Sequence, residues 1–297
     1  MRALVISGGG SKGAFAGGIA QYLIEEEKIK YDIFVGCSTG SLLVPLLALG
    51  EISRLREAYT SVTQSDIYSI SPFIVKEFED GTFQSKINHF NTLLMFAKRK
   101  KTFGETKALR KTITKILTEG LFERAKRENL KVAVTVSNLT LNKVEFKYLT
   151  DFEYEDFIDW MWASTCFVPF MSIVDKNGFE YADGGFGNYI PIEEAIDAGA
   201  TEVDVIILRP KHQMVRKTVS RNPFDILLNS MDFMLQQISR NDIHIAQLES
   251  IYNPNIKIRQ FFTPRVLTEH SFYFYPKLMK KWWQEGYDHA NTIVNNK

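Results

Sequence analysis

Gly36-Cys37-Ser38-Thr39-Gly40 is a G-x-S-x-G pentapeptide lying between an apolar run and an apolar helix-like stretch. At a strand-to-helix turn, a serine in that pattern sits on a sharp, strained bend with its hydroxyl projecting from the carboxyl end of a sheet. The expected chemistry is nucleophilic attack on an acyl carbon. Gly36 and Gly40 would let neighbouring backbones close around the bend. Cys37 is the rival nucleophile, but at such an elbow its side chain should point away from the exposed side, as a small buried neighbour. The bland alternative is an ordinary turn serine.

A serine nucleophile needs a base, usually histidine. None of the five histidines, His89, His212, His244, His270 and His289, stands in a glycine-rich turn or after an evident core strand. Lone histidines of this kind are expected to be solvent-facing or satisfied. Asp183 differs, because it follows the strand-like Phe179 to Ala182 and precedes Gly184-Gly185. A carboxylate at a strand end, on a turn freed by glycines, can be aimed into a site, and partial desolvation would let it take the serine proton. Asp-Gly is also a common β-turn.

Gly8-Gly9-Gly10-Ser11-Lys12-Gly13 offers several readings. It satisfies the G-x-G-x-x-G of a dinucleotide-binding loop, which also wants an acidic residue at the end of the second strand. Asp32 stands at that strand's start instead. A Walker A loop needs Lys and Ser/Thr after its last glycine, whereas Ala14 and Phe15 follow Gly13. Glycines at a helix N-terminus also expose backbone N–H groups that can stabilise an oxyanion. A plain tight turn remains the alternative.

The elements that must position these residues are legible. Ala3 to Ile6 and Tyr31 to Val35 read as buried strands, each feeding a helix, over Ala14 to Glu27 and Ser41 to Leu49 respectively. Two such units imply a parallel sheet with crossover helices. Helices are expected over Ala108 to Leu117 and Phe122 to Arg127, and strands over Lys131 to Val136 and Val144 to Leu149. Asn177-Gly178 signals a hairpin between Ile173-Val174 and Phe179 to Ala182. Pro191 opens a helix that Gly199 ends, and Val203 to Leu208 reads as a buried strand. Asn222, Pro223 and Asp225 start a long helix with Phe224, Leu227, Met231, Met234, Leu235 and Ile238 on its apolar side. No repeat or linker divides the 297 residues, so one domain is expected, with a core over about 1–210 and a helical extension over about 211–297.

Together the motifs resemble the patatin-like phospholipase family. The matching segments are SGGGSKG at Ser7 to Gly13, GCSTGS at Gly36 to Ser41, ASTCFVP at Ala163 to Pro169 and YADGGFGNYIP at Tyr181 to Pro191. The resemblance implies a three-layer α/β/α fold with a mainly parallel central sheet. It also implies hydrolysis of fatty-acyl esters, of phospholipase A or lysophospholipase type, without metal or organic cofactor. Ser38 would be the nucleophile and Asp183 the base of a Ser–Asp dyad, with amides around Gly9, Gly10 and Ser11 binding the oxyanion. Lys12 stands where many members carry Arg. Transfer to an alcohol instead of water, or lipid binding without catalysis, are the alternatives.

The charge balance, 36 Lys and Arg against 35 Asp and Glu, gives no nucleic-acid footprint. Two cysteines build neither a disulfide scaffold nor a zinc cluster. The opening MRALVISGGG is too short in apolar residues for a signal-peptide core, and no run approaches a membrane span. A cytoplasmic location is therefore expected, with export as an effector equally compatible. Phe90 to Lys101 and Phe272 to Trp283 mix apolar and basic residues as lipid–water interfaces do. Core packing is the simpler expectation for both.

Overall fold

The computed structural model describes residues 1–77, 83–212, 220, 222–268 and 271–295. In the first third, β1 (Arg2–Ile6), α1 (Gly13–Glu25), β2 (Ile33–Cys37) and α2 (Thr39–Ala48) form two strand–turn–helix units. Then come α3 (Ile52–Ser61), α4 (Gln64–Ile67), the hairpin β3 (Phe73–Glu77) and β4 (Phe83–Ile87), α5 (His89–Ala97), α6 (Lys107–Ile116) and α7 (Glu119–Arg127). The middle holds β5 (Lys131–Asn138), β6 (Lys143–Tyr148), α8 (Tyr154–Ser164), β7 (Val174–Lys176), β8 (Phe179–Asp183) and α9 (Ile192–Asp197). The chain closes with β9 (Glu202–Pro210), α10 (Pro223–Tyr252), β10 (Lys257–Thr263) and α11 (Pro276–Asn295).

Five strands run parallel in the order β10-β9-β1-β2-β5, and β6, β8 and β7 complete the sheet by antiparallel pairing. Alternate residues of a strand face opposite sides, and both sides are covered. Leu4, Ile6, Phe34, Val132 and Val134 pack under α1, α2, α8 and α11, through Phe15, Leu43, Trp160 and Trp283. Ala3, Val5, Ile33, Val35 and Ala133 pack under α9 and α10, through Ile192, Ala195 and Ala246. Double burial explains why these strands read as continuous apolar runs, not as alternation. The three layers are those the resemblance implied.

Several local expectations hold. Asn177 and Gly178 both take positive φ, 54° and 81°, as a tight hairpin turn between β7 and β8 requires. The Asn222 side chain accepts the Asp225 N–H at 3.0 Å at the start of α10. Other expectations shift. β2 runs two residues later than expected and includes Cys37, so the turn at Ser38 follows the strand directly. On α10, Met231 is buried but Met234 lies half out in solvent, because the helix turns inward along Met231, Ser239 and Ala246, and Met234 stands off that face.

The residues beyond 210 complete the sheet and its cover. β10 forms an edge strand on β9. On α11, Met279, Trp282 and Trp283 are buried against α1, with the Trp283 indole N–H donating to Gln21 Oε1 at 2.7 Å. Phe90 to Lys101 departs from the core expectation. On α5 only Thr92 and Met95 are buried, while Phe90, Leu93 and Phe96 face outward.

Candidate active site

Ser38 stands between the last residue of β2 and the first of α2. Its backbone has φ 52° and ψ −120°, a conformation that non-glycine residues rarely adopt. The surroundings hold it there. Ser38 N–H donates to Ser164 Oγ at 3.1 Å, and that hydroxyl also bonds Ser41 Oγ at 2.7 Å. Ser41 Oγ in turn donates to Gly36 O at 2.8 Å. The bend closes so tightly that a Cβ on Gly36 would lie 2.4 Å from the Gly40 carbonyl carbon. A Cβ on Gly40 would lie 2.2 Å from Ile6 O. Cys37 is fully buried, and burial pushes its thiol well above the usual range. A thiol held in that form is a poor nucleophile.

Asp183 ends β8. Its side chain is 4% exposed, and Oδ1 accepts the Gly185 N–H at 2.8 Å. Its own N–H donates to Cys166 O at 2.9 Å. Ser164 and Cys166, two residues apart, thus tether the amides of Ser38 and Asp183 to a single segment. The Ser38 hydroxyl approaches the carboxylate as a donor, and with the Gly185 amide it favours the ionised form. Burial outweighs both and pushes the carboxyl up to about 7. A carboxylate in that range can accept a proton near neutral pH. Gly184 packs flat on β5 beside it, where a Cβ would meet Thr135 O at 2.3 Å.

The glycine loop follows β1 and turns into α1 through a short 3-10 segment, Gly10–Lys12. Gly8 N–H donates to Tyr189 O at 3.2 Å, Ser11 N–H to Ser271 O at 2.9 Å and Lys12 N–H to Gly9 O at 3.3 Å. Gly13 N–H donates within the loop. Among the described residues, the N–H groups of Gly9 and Gly10 have no such partner, and both residues line the cavity that Ser38 and Asp183 share. The set of open amides is therefore narrower than expected, since Ser11 is engaged. Gly10 has φ +58°, and a Cβ there would meet Ser271 O at 2.1 Å, so the position needs glycine.

Lys12 Nζ donates to Leu208 O at 2.8 Å and ties the loop to the end of β9. Burial, with the nearby Arg209 guanidinium, pushes its amine down to about 7. Arg209 itself faces Asp232 at 3.6 Å. Asp32, the acidic residue nearest the place a dinucleotide-binding loop would need one, accepts the Arg2 N–H at 2.8 Å at the opposite end of the sheet. It cannot serve a ligand at the glycine loop.

Histidine is absent from the immediate surroundings of Asp183 among the described residues. His89 reaches only the outer lining of the cavity, where its ring meets Phe224. His212 and His244 are exposed, and His289 bonds Phe262 O through Nε2 at 2.9 Å. His270 lies outside the described residues. Two positioning groups escaped the sequence reading. Ser164 was visible only within a matching segment. Asp242, from the middle of α10, accepts the N–H groups of Tyr189 and Ile190 on Oδ2, both at 2.8 Å. Nothing in the pattern of a long helix distinguished it.

From Ser38 the cavity, about 780 Å³, runs between helices. Its inner wall is apolar, with Leu42, Leu46, Tyr59, Ile113, Met161 and Met171. No described helix is long and apolar enough to cross a membrane.

A family model described as patatin-like phospholipase matches residues 4–196. Among solved structures, VipD from Legionella pneumophila is similar, with 15% identity, a TM-score of 0.52, and coverage of 99% of this chain and 67% of that chain. That identity speaks for the fold alone. No curated protein matches the chain.

Proposed function

The chain belongs to the patatin-like phospholipase family, and from that premise we propose that it hydrolyses fatty-acyl esters through a Ser38–Asp183 dyad. The observation that carries the reading is the convergence of three features on one apolar cavity: a strained serine, a buried carboxylate pushed up to about 7, and two open amides. Family membership supports a lipid acyl hydrolase, and the assignment of roles is our own.

Ser38 Oγ attacks the ester carbonyl carbon while its proton passes to Asp183. The carbonyl oxygen becomes an oxyanion facing the N–H groups of Gly9 and Gly10. Each such donor is worth a factor of roughly 10² to 10³ in turnover. The tetrahedral species collapses, the C–O bond to the alcohol breaks, and the alkoxide takes the proton from Asp183. Water then gives a proton to Asp183 and attacks the acyl-enzyme. Release of the fatty acid returns the proton to Ser38. The apolar inner wall suits an acyl chain, which gains about 0.8 kcal/mol for each methylene it buries.

Product analysis by mass spectrometry on a mixed phospholipid extract tests the reading. Wild type should release free fatty acid and lysophospholipid, and Ser38→Ala should release neither. Acyl transfer to an added alcohol, with little free fatty acid, would instead favour a transacylase. Unchanged lipid in both would leave a lipid-binding protein.

A further inference from the structure

The cavity opens where its lining residues Ile74, Lys86 and His89 are exposed, and α5 begins at that rim. One side of α5 is anchored. Asn88 caps it by accepting the Asn91 N–H at 3.0 Å, and Asn91 Nδ2 donates to Ser71 O at 2.8 Å. The other side carries Phe90, Leu93 and Phe96 at spacings of three, which share one face of a helix. They are 75%, 67% and 57% exposed. Three large apolar side chains together in water mark an interaction surface.

The charge beside this face points to its occupant. Lys98-Arg99-Lys100-Lys101 follows the helix directly. Lys100 faces Glu105 at 3.5 Å, and Lys101 meets Asp175 and Glu180. Lys98 and Arg99 are exposed and form no ion pair among the described residues. An apolar face edged by unneutralised cations matches the boundary between acyl chains and anionic headgroups. A second copy of the chain seated on α5 would cover the rim through which a substrate must pass, whereas a bilayer there is the source of the substrate.

We propose that α5 seats the protein on an anionic phospholipid surface, with Phe90, Leu93 and Phe96 entering the headgroup–acyl boundary and Lys98 and Arg99 among the phosphates. The proposal rests on the lipid-ester reading for the identity of the surface, but its test is independent of turnover.

The full chain is sedimented with phosphatidylcholine vesicles and with phosphatidylcholine–phosphatidylglycerol vesicles. Wild type should bind the mixed vesicles and bind neutral ones weakly. Phe90→Ser/Leu93→Ser/Phe96→Ser and Lys98→Glu/Arg99→Glu should each lose about tenfold or more in partitioning to the mixed vesicles. Both variants should hydrolyse a soluble short-chain ester as wild type does, which also certifies their fold. A wild type that ignores anionic vesicles, or binds neutral ones equally, overturns the proposal. So does undiminished binding by the triple variant, or light scattering that shows a dimer which the triple variant dissolves. Vesicle binding without any ester hydrolysis by wild type would sustain the docking surface and remove the catalytic reading.

Discussion

Ser38 and Asp183 meet because the strands that carry them run toward each other along one edge of β5. Cys37, the last residue of β2, pairs with Thr135, and Asp183, the last residue of β8, pairs with Val136. Consecutive residues of one strand therefore set the separation of Ser38 and Asp183. Ser164 and Cys166 repeat the constraint from the other side through the two amides. The geometry is fixed by backbone pairing, so it tolerates change in side chains that line the cavity more readily than change in the strand register.

The pH dependence follows from Asp183. As the proposed base, Asp183 must be ionised, and burial raises its carboxyl to about 7. The kcat/KM of a soluble ester should therefore rise with pH and level off above about 7. A profile already flat from pH 5 to 8 would remove Asp183 as the base.

The same burial gives Asp183→Asn opposite effects on activity and stability. The folded state holds the Asp183 proton more tightly than the unfolded state, about 7 against 3.8. Its contribution to stability falls as pH rises between those values and stays low above about 7. At roughly 1.4 kcal/mol per pH unit, ionised Asp183 costs on the order of 4 kcal/mol. Asn retains an oxygen for the Gly185 N–H but carries no charge. Urea unfolding at pH 8 should show the variant more stable by a few kcal/mol, with turnover lost.

Gly10→Ala should lower kcat by a factor of about 10² to 10³ with little change in KM. The added Cβ would lie 2.1 Å from Ser271 O at a φ that disfavours it, so the Gly10 amide must turn away from the oxyanion. Steady-state kinetics on a soluble ester separates the two constants. A raised KM with kcat intact would turn the loop into a ligand-binding loop.

Ser164→Ala removes the acceptor of the Ser38 N–H. An unpartnered buried amide costs about 1–3 kcal/mol, and the strained elbow can then relax. Stability should fall by that amount and kcat by about tenfold or more, whereas Ser164→Thr keeps the oxygen and should retain much of both. Equal losses in the two variants would show that packing, not the hydrogen bond, matters at this position.

Asp242→Ala strands two amides, those of Tyr189 and Ile190, on the segment whose Tyr189 carbonyl accepts the Gly8 N–H. The loss should be roughly 2–5 kcal/mol in unfolding free energy. Asp242→Asn keeps one oxygen able to accept both bonds and should be near wild type. A destabilised Asn variant would assign the effect to charge.

Much of this was legible in the sequence where local rules decide. The hairpin at Asn177-Gly178 and the cap at Asn222 follow from turn and cap chemistry acting over a few residues. The buried strands follow from apolar runs. The pairing of β8 with the end of β5 left no local mark, so Asp183 could be ranked by its glycines but not placed. β10 was missed because Lys257–Thr263 carries Lys, Arg and Gln as an edge strand does. Phe90–Ala97 reads as core because six of its eight residues are apolar, and composition cannot say which face the fold will cover. The aromatic Phe272 to Trp283 had the same ambiguity and resolved the other way, with Trp282 and Trp283 under the sheet cover.

The central claim, that Ser38 is activated by Asp183, is tested most directly by intact-mass measurement of fluorophosphonate labelling. The account predicts a single adduct on wild type, mapped to Ser38, no adduct on Ser38→Ala, and labelling of folded Asp183→Asn slowed by about 10³ or more. Adduct formation on Ser38→Ala at the wild-type level, or on Asp183→Asn at the wild-type rate, would contradict it.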